Sequence, residues 1–208
     1  MSWYIIVAIF ALIICISGCL FHLIRLIRLG KPKDYSKSAG DLSKAIPYSF
    51  TGAMHPAHKE SAYLHLPEYS AGILFHIGAF VSVLVFFIHL AGFYITEPFF
   101  VWGLTGGLAI TSICGAIILV ARLFNKVQKE ISNPDDYISN LLVTGFQILT
   151  IGMLHFDIPM FYFLWSSILL IYIPIGKLKH VVYFFFARFH LGFFYGWRGT
   201  WPPKNIKI

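Results

Sequence analysis

The chain has 208 residues, 58% of them hydrophobic and only 12% charged, a composition that excludes an ordinary soluble domain. Its formal net charge is +7, and no motif that reads nucleic acid accompanies that charge. The excess of Lys and Arg is therefore read as a topology signal. Five apolar runs are long enough to cross a bilayer, at about residues 3–23, 69–95, 99–121, 137–156 and 159–175. They predict an all-α polytopic membrane protein, a five-helix bundle forming one membrane domain.

The first run lacks a basic leading region and runs into Arg25 and Arg28 where a cleavage site would need small residues, so it reads as an uncleaved span. Arg25 and Arg28 lie about one turn apart at its end. They suit a lipid-headgroup anchor, or contacts to anionic groups near the membrane edge. The inner loop, residues 24–68, holds GKPKDYSKSAGD and too many Gly, Pro and Ser for a stable domain of its own. It is expected to cap the bundle or to dock a partner. His55, His58 and His65 lack a cysteine, Pro56 splits the first pair, and solvated or partner-facing roles outweigh zinc.

The second run carries His76 and His89. Thirteen residues of helix separate them by roughly 20 Å and roughly 220° of rotation, so they cannot share one metal ion. Each needs its own partner, because an imidazole in hydrocarbon is costly. The third run offers Gly103 and Gly107 as a small-xxx-small packing face. Before the fourth run, Ser132 or Asn133 is expected to cap a helix opened by Pro134, with Asp135 and Asp136 at its positive end. Gln147 falls mid-membrane and His155 at the outer end. The fifth run contains Pro174 and is expected to continue past a kink toward Lys177, Lys179 and His180. Cys15, Cys19 and Cys114 sit in membrane runs as buried thiols, with spacing that suits neither disulfides nor an iron–sulfur cluster.

Every Lys and Arg falls between runs one and two, between runs three and four, or after run five; only Glu97 and Asp157 face the other side. The positive-inside rule then puts the N-terminus outside and the C-terminus inside. In that arrangement His76 and His180 match in depth near the inner leaflet, and His89 and His155 match near the outer one. A bis-histidine haem b needs two neutral imidazoles on facing helices, which the first pair meets on topology. Hydrogen bonds to neighbouring helices are the alternative for each. For the second pair, a second haem, a quinone pocket that includes Glu97 and Asp157, and an interfacial cluster stay open. His190 lies too far past the inner boundary to join either pair.

Several segments together resemble the membrane cytochrome b subunits typified by the gamma subunit of respiratory nitrate reductase. The resemblance is closer to the smaller relatives found with heterodisulfide-reductase-like and sulfite-reduction-associated complexes. It rests on KESAYLHLPEYSAGILFHIG, which ends in FHIG at 75–78, and on RLF at 122–124. It rests further on Asp135 and Asp136 with Gln147 and Gly152, on P-x-x-K-L-x-H from Pro174 to His180, and on ARFHLGFFYGWRGTWPP. The resemblance implies that His76 and His180 are the axial ligands of an inner-side haem b. The chain departs from the family at the outer haem, whose two ligand positions are Phe86 and Tyr162 here. His89 and His155 are displaced candidates for that role.

The function expected is a haem b subunit in the inner (cytoplasmic) membrane, passing electrons between menaquinol or another quinone and an inner-side iron–sulfur protein. That partner would be a heterodisulfide-reductase-like subunit, alongside other membrane subunits. Arg25 and Arg28 would face haem propionates, and His89, Glu97, His155 and Asp157 would line the quinone site. Protons released outside while electrons move inward would make the step electrogenic, and the reverse direction is equally open. A haem-free anchor subunit and a proton-coupled transporter are the rivals, although no internal repeat supports the latter.

Overall fold

The computed structural model describes residues 2–203 except 31–32, 57 and 59–61. Lys31, Lys59, Lys204 and Lys207, which contribute to the charge asymmetry, lie outside the described residues. The described residues form eight α-helices with short 3-10 turns and no strand. The helices are α1 (Trp3–Arg28), α2 (Leu42–Phe50), α3 (Leu66–Leu90), α4 (Pro98–Phe124), α5 (Lys126–Ile131), α6 (Pro134–His155), α7 (Pro159–Ile175) and α8 (His180–Trp197). Four of them, α1, α3, α4 and α6, are long and apolar enough to cross a membrane, and α7 with the segment after it would make a fifth. Large apolar side chains such as Phe10, Phe80 and Trp102 are exposed on these helices, as lipid-facing surfaces require.

Two boundaries differ from the sequence expectation. The second span ends at Leu90, not Ile95, because the backbone turns at Gly92, whose φ of 86° suits glycine. The fifth run does not continue as a kinked helix. Pro174 lies inside α7, Gly176 caps it, and a 3-10 turn at Lys177–Lys179 precedes a new helix from His180.

The chain divides into two compact units. The first comprises Met1–Gly18 and Pro67–Leu178. Its core gathers Ala8, Phe86, Leu142, Val143, Phe146, Tyr162, Phe163 and Leu169. A polar junction sits beside these rings. Gln147 on α6 is fully buried, accepts a hydrogen bond from Thr111 Oγ1 on α4 at 2.8 Å, and donates to the Phe75 carbonyl on α3 at 3.1 Å. A Cβ on Gly78 would lie 2.1 Å from Thr111 Oγ1 and 2.6 Å from Gln147 Oε1. Glycine is thus what lets α3 approach this junction. The face of α4 that packs inward is Leu108, Thr111, Ser112 and Gly115. Gly103 and Gly107, expected to be the packing face, meet open space. The expectation fails because glycine spacing alone does not say which side of a helix turns inward.

The second unit comprises Cys19–Leu66 and Lys179–Ile208. Here the Gly-, Pro- and Ser-rich loop is more ordered than its composition suggests. Asp41 caps α2 by accepting from the Ser43 amide at 2.9 Å. Ala45 and Ser49, one turn apart and fully buried, lie against Gly196 and Gly192 of α8. Ser49 Oγ donates to the Arg188 carbonyl at 2.7 Å, and Arg188 Nε donates back to the Ser49 carbonyl at 2.6 Å. Farther along, Trp197 Nε1 donates to the Ser36 carbonyl and the Ala39 amide to the Trp197 carbonyl, both at 2.8 Å.

Two measurements check this account. Gly78→Ala forces Thr111 and Gln147 apart, so thermal unfolding in detergent is expected to show a loss of about 1–3 kcal/mol. Thr111→Ser, which keeps the hydroxyl, should lose less. The second concerns acid. The Ser43 hydroxyl, followed by its amide, holds the Asp41 carboxyl below the usual carboxylate range, and Ser36 does the same for Asp34. A carboxyl lowered in the folded state stabilises above its unfolded pKa of about 4 and loses that contribution as pH falls through the folded value. The protection factor of the Ala39 amide, its exchange rate relative to an unstructured amide at the same pH, should therefore fall below about pH 4. Asp34→Asn and Asp41→Asn together should flatten that dependence.

Candidate functional site in the membrane bundle

The site is built on α3, whose two faces have opposite fates. Gly78, Ser82, Val85, Phe86 and His89 are buried, whereas His76 is exposed. The rotation between the two histidines thus puts one inside the bundle and one on its surface. His76 Nδ1 lies 2.6 Å from the Gly72 carbonyl one turn back. A carbonyl only accepts, so Nδ1 carries the hydrogen and a neutral ring keeps its lone pair on Nε2. A ligating imidazole is braced by a bond of this kind through its other nitrogen. The adjacent Phe75 carbonyl is held by Gln147, so the backbone that presents His76 is tied to α6.

His180 opens α8 and is exposed. It belongs to the second unit, as do Arg25 and Arg28, which are exposed in the last turn of α1, while His76 belongs to the first. His55 and His58 have ring centroids 5.6 Å apart, and His58 Nδ1 lies 3.3 Å from the Gly52 carbonyl. Among the described residues no three His, Cys, Asp or Glu side chains gather as a metal-ion set.

At the other end of the first unit, His89 and His155 take different partners. His89 is 3% exposed, with its ring 5.9 Å from that of Tyr162 on α7 and 5.5 Å from that of Tyr94. His155 is exposed at the end of α6, hydrogen-bonded through Nε2 to Thr105 Oγ1 at 2.7 Å and beside Trp102 on α4. Glu97 precedes α4 without making a side-chain capping bond, and Asp157 is exposed in the α6–α7 turn. Phe86 and Tyr162, at the outer ligand positions implied by the resemblance, are both core residues. Their rings lie 6.3 Å apart and pack with Phe146 and Phe163.

Sequence reading misses two features here. Among the described residues Ser82 Oγ, His89 Nδ1 and Tyr162 Oη are buried without hydrogen-bond partners, although Tyr162 reaches toward Thr150. The spacing of Ser82, Phe86 and His89 at i, i+4 and i+7 is the signal that places all three on one face. The other feature is a charge cluster at the opposite end of the unit. Asn133 and Asp136 form a reciprocal capping box at the start of α6. The Asp136 carboxylate, 4% exposed, pairs with Arg122 at 3.2 Å and with Lys177, while Tyr172 donates to Asp135. One carboxylate thereby holds the end of α4, the start of α6 and the end of α7.

Removing that carboxylate leaves Arg122, whose side chain is largely buried, without its counter-charge. Asp136→Ala is expected to lower stability by about 2–4 kcal/mol, allowing for the partial exposure of both cations. Lys177→Ala should cost well under half as much, and thermal unfolding of the three proteins side by side decides it.

No family model, curated protein or solved structure matches this chain.

Proposed function

We propose that this chain is the membrane subunit of a larger oxidoreductase, carrying one haem b between His76 and His180. It would pass electrons between a quinol, menaquinol or another, and an inner-side iron–sulfur protein of the heterodisulfide-reductase-like kind. The reading places the protein in the inner (cytoplasmic) membrane with the N-terminus outside and the C-terminus inside, following the charge asymmetry. The observation that carries it is the His76 Nδ1–Gly72 hydrogen bond, which prepares Nε2 as a ligand nitrogen in a membrane helix. Haem, when bound, supplies a one-electron carrier.

The protein's own part is to hold, orient and insulate. Gln147 and Gly78 hold the helix that presents His76, and Arg25 and Arg28 are cations for the propionates. The reading takes one haem, with a second one held by His89 and His155 as its alternative. Phe86, Phe146, Tyr162 and Phe163 pack together between α3, α6 and α7, which supports that count. In this reading His89, Glu97, His155 and Asp157 serve the quinol, as proton acceptors near the outer leaflet.

A dithionite-reduced minus oxidised spectrum, with haem-to-chain stoichiometry, tests this on purified protein and on His76→Ala and His180→Ala. The expected outcome is a b-type signal at one haem per chain that either substitution abolishes. Properly assembled protein with no haem would overturn the reading in favour of a haem-free anchor. Two haems would return His89 and His155 to the ligand set.

A further inference from the structure

The second unit contains an open cleft of about 940 Å³ that the electron-transfer reading does not use. One wall is the connector after α1, at Lys33, Asp34, Tyr35 and Ser36. The other is α8, chiefly His190, Leu191, Phe194 and Arg198. Positions 187, 190, 191 and 194 share one face of α8, and Phe193, Tyr195 and the capping Arg198 complete that wall.

The walls are braced. Arg198 pairs with Asp34 at 2.7 Å, donates to the Phe194 carbonyl at 3.1 Å, and lies 3.7 Å over the Phe194 ring. Asp34 Oδ1 accepts from the Ser36 amide at 3.0 Å and from its hydroxyl at 2.7 Å. The Trp197 indole then holds the Ser36 carbonyl. Arg198 and Asp34 are therefore committed to each other. Lys33 makes no ion pair among the described residues, and the His190 ring touches only Phe186 and Phe189 among them. The cleft thus joins an apolar surface to the Lys33 ammonium and an imidazole, both able to donate to an anion.

A soluble anion would use Lys33 and the imidazole and leave the apolar walls in water. An uncharged apolar chain would use the walls and leave Lys33 idle. An acidic amphiphile uses both, and a membrane supplies one. The same unit includes the last turn of α1, a helix apolar enough to span, and α8 exposes Phe184, Phe185, Leu191 and Phe194. Basic pockets beside membrane helices are recurrent sites for anionic lipid headgroups.

We propose that this cleft binds an acidic phospholipid, with its phosphate at Lys33 and His190 and its upper acyl chains along Leu191 and Phe194. The proposal does not depend on haem, and the two can fail separately. The phosphate stays off Arg198 because Asp34 already neutralises it. Lipid bound here would link the connector to α8.

The test uses full-length protein in neutral detergent, measuring its binding to nanodiscs or mixed micelles that contain phosphatidylglycerol or only phosphatidylcholine. The wild type is expected to retain phosphatidylglycerol selectively. Lys33→Gln should weaken that binding about fivefold, and Lys33→Gln with His190→Gln more. Leu191→Gln should weaken lipid binding while leaving any effect of inorganic phosphate unchanged. Lys126→Gln, on α5 and outside the cleft, is the control. Equal loss in the control means general surface charge and overturns the proposal. Inorganic phosphate that displaces the lipid at equal concentration identifies a plain anion site and overturns it too. Helical content and tryptophan fluorescence matching the wild type show that a variant has folded.

Discussion

A primary amide at membrane depth cannot be left unpaired, and the bundle of the first unit is arranged around that requirement. Gln147 has a carbonyl oxygen and an amino group to place where no water can serve. Both are used between helices, to Thr111 on α4 and to the Phe75 carbonyl on α3. Lipid supplies little hydrophobic drive for helix association, so such bonds and close packing must set the geometry. Gly78 is the complement of Gln147, because a larger residue there would occupy the space the amide needs. The position of His76, two residues earlier and on the opposite face, follows from the same junction.

The second unit solves its packing differently. The lone glycine of the first unit's junction is replaced here by a pair, Gly192 and Gly196, facing the equally spaced Ala45 and Ser49. Reciprocal bonds between Ser49 and Arg188 close the contact. A stretch that looks like linker by composition is helical because the tail of the chain supplies a surface for it. Isolated nine-residue helices are marginal in water, so α2 depends on that surface.

The sequence reading and the structure part company in instructive places. Gly103 and Gly107 have the spacing of a packing motif and meet nothing, whereas Gly78 and Gly115, in less regular settings, sit against side chains of other helices. Spacing reports what a face permits; the neighbouring helix decides whether it is used. His89 and His155 were legible as polar residues near one end of the bundle. Their separate environments, one among aromatic rings and one beside Trp102 and Thr105, depend on which way α3 and α6 are rotated. Ser82 has no signal in the sequence, and Tyr162 stands out there only as an outer ligand position implied by the resemblance. Burial without a partner is what distinguishes them.

Sequence alone determined the all-helical class, the number of apolar runs, the asymmetry of the basic residues, and a cap for α6 at Ser132 or Asn133 with Pro134 opening the helix. These are local properties, set by run length, side-chain charge and the chemistry of a helix end, and they need no knowledge of neighbours. Tertiary structure decided which glycines are contacts, where α7 stops, that the segment after α1 folds onto α8, that Asn133 is the cap of α6, and that Asp136 gathers Arg122 and Lys177. Each of these depends on the rotation and approach of a second helix. No periodicity within one segment encodes that, because the interaction energy exists only once both surfaces meet.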